Sequence, residues 1–398
     1  MKKMAKRGKK VLSPVLGRYF ADFEVSKGRG CYLYGTDGKK YLDFSSGIAV
    51  CATGHAHPKV VAAAGKQLST LIHICIGIAN YDPYITLAEK LSRIVPIKNA
   101  QFFFCQSGSE AVEAAIKLAK YATKKPGLIA LRGGFHGRTF GALSLTTSKM
   151  KYREGYEPLL PQVYIAKPDL KAVEKLLKTK KIAGLILELI LGEGGYILQD
   201  KALVKGLRRL CSKYGALLIV DEIQSGFGRT GKWFAAEHFD IKPDILCMAK
   251  GIASGFPLGG IAASAEIMKK WSPGAHGGTY GGNPVCCAGA IATIDVIKQE
   301  KLLGNARKMG EYLRSRLKAL QNKYPLIKDV RGLGLMIGVD LKDPAPVRKI
   351  MDHCLKNKLV LIPTGANGTV FRFVPALIVK KREIDLGLKI FEQALKNA

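Results

Sequence analysis

Lys250 is the one charged side chain in the run 245–265, ILCMAKGIASGFPLGGIAASA. The stretch 245–249 before it is short and apolar and predicts a buried strand, with Asp244 ahead of it and Gly251 following the lysine. An ammonium held in such surroundings loses hydration, so its neutral form gains ground. A neutral lysine amine is a nucleophile for carbonyl carbon. The plainer reading is a lysine at a strand end that extends its charge to water.

Other groups gain meaning beside that amine. Ser107-Gly108-Ser109-Glu110 stands between a predicted strand, 101–105, and a predicted helix, 111–122. The free N–H groups of a helix start, two hydroxyls and a glycine suit a phosphate, although Ser107 and Glu110 equally fit a ligand-free capping box. Asp221 closes the ALLIV strand predicted over 216–220 and is followed by Glu222, Ile223 and Gln224. A carboxylate there can face a protonated ring nitrogen, or simply cap the next helix. Phe135-His136-Gly137-Arg138 follows Gly133-Gly134 and offers a ring to stack and a guanidinium for a carboxylate, or else a polar loop. Glu188 ends a strand predicted over 182–188, and Glu193 sits in a Gly192-Glu193-Gly194-Gly195 loop. Arg372, inside the apolar FRFVPAL, is either paired with an acid or awaiting one. The flexible run from Gly277 to Pro284 leads into a helix and is a second candidate phosphate contact. Phosphate binder, aromatic stacker, strand-end carboxylate and isolated lysine together are the parts that hold pyridoxal 5'-phosphate. His55 and His57 lack a third ligand of suitable spacing, so no metal is expected.

The elements that must position these groups are legible. Residues 1–16 predict a frayed basic arm, and 31–34 with 41–44 a hairpin around Asp37-Gly38. From about residue 85, short buried strands at 101–105, 128–131, 163–165, 182–188, 216–220, 245–249 and 260–263 alternate with helices, among them 201–214. That alternation implies an α/β fold with a largely parallel sheet covered on both faces, and ligands at the carboxyl ends of its strands. Past residue 284 the pattern changes. Helices over 283–297 and 302–324, strands at 330–340, 359–362 and 370–373, and a closing helix over 381–397 predict a smaller α+β domain. The expected division is an N-terminal arm with part of the small domain (1–44), a large cofactor-binding domain (45–295) and a C-terminal small domain (296–398).

The chain resembles the class III (subgroup II) pyridoxal-phosphate aminotransferases. The resemblance is carried by LDFSSGIAVCATGHAHPKV at 42–60, SGSEAVEAAIKLA at 107–119, FHGRTFGALSLT at 135–146, DEIQSGFGRTGKWFAAEH at 221–238, DILCMAKGIASGFPLGG at 244–260 and HGGTYGGNPVCCAGA at 276–290. It implies fold type I of the pyridoxal-phosphate transferases. It also implies that Lys250 bonds the cofactor's aldehyde and shuttles a proton, that Asp221 meets the pyridine nitrogen, and that Gln224 meets the ring hydroxyl. Gly108 and Ser109 would bind phosphate, Phe135 would stack on the ring, and His136 and Glu188 would complete the cofactor pocket. Thr279 would reach the phosphate of a second subunit, making a homodimer. Arg138 and Arg372 would bind substrate carboxylates, Glu193 would pair with Arg372 in their absence, and Ile48 and Gly278 would contact substrate. The expected activity is transfer from an ω-amino acid, 4-aminobutyrate first, to 2-oxoglutarate, giving a semialdehyde and glutamate; acetylornithine or ornithine transamination and amino-acid racemisation are the alternatives. The chain departs at 188–195, ELILGEGG, where the family commonly has EPVQGEGG, and at Gly278, where a hydroxyl residue is common.

Composition narrows the class further. Lys and Arg number 63 against 31 Asp and Glu, a formal +32. The lysines are spread along predicted exposed helix faces, with no zinc-finger spacing and no basic stripe interleaved with aromatics, so a nucleic-acid partner is not expected. No apolar run is long and uncharged enough to span a membrane. Nine cysteines without a C-x-x-C pair, and no secretory signal, imply a reducing cytoplasm.

Overall fold

The computed structural model describes residues 3–398. Seven strands form a central sheet in the order Ala100–Cys105, Gly259–Ser264, Ile245–Met248, Leu217–Asp221, Ile182–Leu187, Gly127–Leu131 and Val163–Ala166. From Ile245–Met248 outward to Val163–Ala166 every pairing is parallel, and only Gly259–Ser264 runs antiparallel to its neighbours. Both faces are covered, which explains the unbroken apolar runs. Along Ile245–Met248, Ile245 and Cys247 enter one core, and Leu246 and Met248 enter the other. Leu218 and Val220 likewise oppose Ile219.

The helix Gly108–Thr123 covers one face with Ala111, Val112, Ala115, Leu118 and Ala119. Its start is a capping box: Ser107 Oγ accepts from Glu110 N at 3.2 Å, and Glu110 Oε2 accepts from Ser107 N at 3.1 Å and Gln106 N at 2.7 Å. Ser107→Ala is therefore expected to lower stability by about 1 kcal/mol, read as a shift in the urea midpoint of the apo protein at unchanged slope.

Two four-stranded sheets and a two-stranded one, Ile190–Leu191 with Ile197–Leu198, make up the other sheets. Val25–Arg29, Tyr32–Gly35 and Lys40–Asp43 are joined by Leu359–Val360, which pairs parallel to Lys40–Asp43. Ile327–Leu333, Met336–Leu341, Val370–Phe373 and Ile362–Thr364 form the other four-stranded sheet. Three expectations are corrected. The arm predicted as frayed carries a helix, Lys3–Val11, with Ala5 N bonded to Glu24 Oε1; residues 1–2 of that arm lie outside the described residues. The single strand expected over 330–340 is a hairpin of two, because Gly334 turns the chain at φ +54° beside Arg229 and Thr230. The run 359–362 divides between two sheets at Leu361. A continuous apolar pattern shows burial but not the sharp turn within it. Among the described residues no helix is long and apolar enough to cross a membrane.

Candidate active site

Parallel strands deliver their last residues to one edge of the sheet. Val220 pairs with Leu187 and Asp221 with Cys247, so Asp221, Glu188 and the turn carrying Lys250 arrive side by side. The helix start at Gly108 and the loop 133–138 reach the same edge. They enclose a cavity of about 350 Å³, whose wall includes Gly108, Ser109, Phe135, His136, Glu188, Asp221, Gln224 and Lys250. Val50 contributes from the N-terminal region.

Lys250 makes no hydrogen bond or ion pair among the described residues. Burial lowers its pKa from the ordinary lysine value, against the pull of Glu193, Asp221 and Glu188. The turn Lys250–Ala253 begins at φ +46°, so the lysine backbone is left-handed. Asp221 Oδ2 lies 2.8 Å from His136 Nδ1, and its Oδ1 accepts from Ile223 N at 3.1 Å. Burial opposes a charge on His136, but the Asp221 hydrogen bond raises its pKa above the usual value. His136 Nε2 is buried and has no hydrogen-bond partner among the described residues. Glu188 accepts from Phe135 N at 2.7 Å and Gly192 N at 2.8 Å, tying the two loops together. Burial pushes its carboxyl up to about 7, with His136 opposing and Asp221 adding to the rise.

On the substrate side, Arg372 is buried and Glu193 Oε1 lies 2.6 Å from its Nη1. Burial works against the guanidinium charge, yet Glu193 raises the Arg372 pKa; in return Arg372 overcomes the burial of Glu193 and lowers its pKa. Arg138 is exposed just outside the cavity, with its guanidinium 4.6 Å from the centre of the Tyr152 ring. Its backbone N donates to Ser109 Oγ at 3.2 Å, which joins the candidate carboxylate grip to the candidate phosphate loop. Ile48 lies in a left-handed turn two residues before Val50.

One chain does not bring Gly278 and Thr279 into this cavity. Both are exposed, on a loop held by Asn283, whose Nδ2 donates to Ile72 O at 2.9 Å. His55 and His57 bond Asp43 and Glu300, and among the described residues no group of three or more His, Cys, Asp or Glu is placed to hold a metal ion.

Sequence reasoning missed three tyrosines. Tyr19 OH accepts from Arg372 Nη2 at 2.9 Å across 353 positions. Tyr152 lies beneath Arg138 and meets Phe135 edge-on, with ring centres 5.7 Å apart. Tyr196 OH donates to Gln224 Oε1 at 2.8 Å and so fixes the amide of a residue that lines the cavity. No local signal marks any of them, because each acts across a long sequence separation.

The donor set fits pyridoxal phosphate. A half-buried amine for an aldehyde, with no hydrogen-bond partner among the described residues, a carboxylate for a pyridinium, a helix start whose first amides lack internal acceptors and a partly buried aromatic ring share one cavity.

The class-III aminotransferase profile matches residues 17–395. The acetylornithine aminotransferase of Archaeoglobus fulgidus is 44% identical over 92% of this chain and 94% of its own length. The 4-aminobutyrate aminotransferase of Escherichia coli is 38% identical over 95% and 94%. An alanine/serine racemase of Pyrococcus horikoshii is 36% identical over 100% and 90%. Among solved structures, the ornithine aminotransferase of Toxoplasma gondii superposes with a TM-score of 0.93 at 28% identity, covering 100% of this chain and 96% of that one. The chain belongs to the class-III aminotransferases and is a pyridoxal-phosphate-dependent enzyme of that family.

Proposed function

We propose that the enzyme moves an amino group from an ω-amine donor, 4-aminobutyrate first, to 2-oxoglutarate, giving a semialdehyde and glutamate. The observation that carries this reading is the closed Glu193–Arg372 pair, 2.6 Å between Oε1 and Nη1. With Arg372 neutralised, a substrate without a carboxylate beside its reacting amine meets no uncompensated cation there. With Glu193 displaced, the same guanidinium receives the α-carboxylate of 2-oxoglutarate or glutamate.

When bound, the cofactor withdraws electrons from the carbon bearing the amine, which makes its hydrogen acidic. Lys250 would hold the cofactor by its aldehyde, and its Nζ when free, disfavoured as an ammonium by burial, would take the proton from the carbon bearing the amine and return it. Asp221, held by His136, keeps the ring nitrogen protonated. Gln224, held by Tyr196, donates to the ring oxygen. Gly108 and Ser109 hold the phosphate, Phe135 stacks on the ring, and Glu188 fixes the Phe135 loop. Arg138 grips the distal carboxylate, with Ile48 and Gly278 along the substrate path.

A homodimer completes the site. The Thr279 loop is exposed beside Tyr280 and Ile72, and Val61, Leu68 and Ile78 are also exposed. A second copy seated on these apolar side chains would present Thr279 to the phosphate of its neighbour. Nine free cysteines suit a reducing cytoplasm.

The higher identity of the archaeal acetylornithine aminotransferase favours a second reading, in which N-acetylornithine is the donor; its reacting amine is also remote from the carboxylate. A donor screen with 2-oxoglutarate separates the two. Glutamate formation from 4-aminobutyrate at least about tenfold faster in kcat/KM than from N-acetylornithine is expected, a difference of about 1.4 kcal/mol in transition-state binding. Glutamate from N-acetylornithine alone selects the second reading. Interconversion of amino-acid enantiomers with no acceptor present overturns both.

A further inference from the structure

Residues 46–49 form a left-handed turn, an arrangement sterically disfavoured for L-residues. Ser46, Gly47, Ile48 and Ala49 have φ of +46°, +64°, +68° and +62°. The turn is closed by Ala49 N to Ser45 O at 2.9 Å and Val50 N to Ser46 O at 2.8 Å. Only one of the four residues is glycine. Such strain persists where surrounding structure over-determines it, and it gathers at functional sites.

The restraint is the pairing of buried Asp43 with half-buried His55. Asp43 Oδ1 accepts from Ser45 N at 2.8 Å, Ser45 Oγ at 2.6 Å and Ser46 N at 3.1 Å. Its Oδ2 lies 2.7 Å from His55 Nε2. Burial alone would favour neutral imidazole, but the hydrogen bond to Asp43, with a smaller contribution from Cys51, raises His55 to about 10. His55 therefore stays protonated through neutral pH. The pair brackets the turn from both sides, at residues 43 and 55.

What the turn presents is the wall of the active site. Val50 lines the cofactor cavity. Ala49 packs in one cluster with Tyr196, whose hydroxyl orients Gln224. Thr53 N donates to Ser254 Oγ at 2.9 Å, and the two hydroxyls are 2.7 Å apart. Ser254, at φ +47°, ends the short turn that Lys250 begins, and Ala52 lies against Gly251, 3.7 Å from where a Cβ there would stand. We propose that Asp43 and His55 are positioning residues for the Lys250 turn: by locking residues 46–49 left-handed, they press Ala52 and Thr53 onto Gly251 and Ser254 and so set where the Lys250 amine stands. A buried ion pair is a poor way to gain stability, since apolar residues of similar volume often serve as well, but it can specify one geometry. This inference rests on the reading of Lys250 as the cofactor-bonding lysine.

The test uses holoenzyme carrying His55→Gln, Asp43→Asn, both together, or Ser254→Ala, which removes both bonds to Thr53 without touching the Asp43–His55 pair. The readouts are kcat, donor KM, the circular dichroism band of the bound cofactor, and Tm. Each variant is expected to lower kcat by roughly 10–100-fold with KM changed less than about threefold, because a displaced amine is bound but badly aligned. The cofactor dichroism should change with kcat. The double variant should be no worse than either single one, as for residues acting as one unit. Ser46→Gly, which relieves the left-handed strain, should return about tenfold in kcat to His55→Gln. A fall in Tm alone, with kcat and dichroism unchanged in His55→Gln or Ser254→Ala, overturns the proposal. Turnover surviving in Lys250→Ala would instead sink the lysine reading itself, whatever the His55 variants do.

Discussion

Lys250→Ala is expected to lose turnover by on the order of 10⁴ or more, because one substitution removes both the bond to the aldehyde and the proton carrier. The purified variant should hold cofactor more weakly and lack the visible band of the lysine-bound form. Its apo form should be no less stable than wild type at neutral pH. The Lys250 ammonium has no hydrogen-bonding or ion-pair partner among the described residues, and burial lowers its pKa below the ordinary lysine value. A base with a lowered pKa binds fewer protons folded than unfolded, so its cost is largest below the folded pKa and fades as pH rises toward 10.5. Apo thermal unfolding at pH 7 and near pH 10.5 checks this: any advantage of the alanine variant should shrink at the higher pH. A variant with clearly lower Tm at pH 7 would show that the lysine stem contributes more by packing than its charge costs.

Arg372→Met should have the second-largest effect. Glu193 is 12% exposed in its side chain and loses its ion-pair partner. Breaking a buried pair from one side costs about 3–5 kcal/mol, mainly because the remaining charge is stranded. The effect on stability depends on pH. The Glu193 pKa is lowered from 4.5 in the fold, so the pair contributes above 4.5 and loses its contribution as pH falls through the lowered folded value. The gap in stability between wild type and variant should therefore close in acid, which urea midpoints at pH 7 and below pH 4 would reveal. The two half-reactions should separate as well. For 2-oxoglutarate, kcat/KM should fall by about 10²–10³, as expected when one partner of a charge-paired contact of about 3–4 kcal/mol is removed. Conversion of the cofactor band by 4-aminobutyrate in a single turnover should slow less than about tenfold, since that donor is not held by Arg372. Equal losses in both halves would argue against the Glu193 exchange.

Much of this enzyme is legible in its sequence because its chemistry is local to strand ends. The apolar runs 101–105, 216–220 and 245–249 each end beside a polar or charged group. Parallel strands carry such ends to a common edge, so Ser107, Asp221 and Lys250 can be grouped before any coordinates exist. The capping box at Ser107 and Glu110 and the helix Lys201–Tyr214 are local in the same sense, and the structure places both where the residues predict them.

Tertiary structure decided what depends on distant partners. Arg372 finds Tyr19 across 353 positions, a separation over which no residue pattern carries information, whereas its pairing with Glu193 across 179 positions is implied by the family resemblance alone and not by the residues' own pattern. Residues 330–340 read as one strand because burial is visible in composition, whereas the reversal at Gly334 depends on how closely Thr230 approaches. The left-handed turn at 46–49 has no glycine-rich signature, and its tie from Ser46 N to Asp43, and from Asp43 on to His55, is visible only in the fold. Side-chain type and period settle which chemistry the chain can attempt. The packing of far-apart segments settles which carboxylate, hydroxyl or amine stands next to which, since hydrogen bonds and ion pairs act over a few ångströms of space and take no account of the length of chain between their ends.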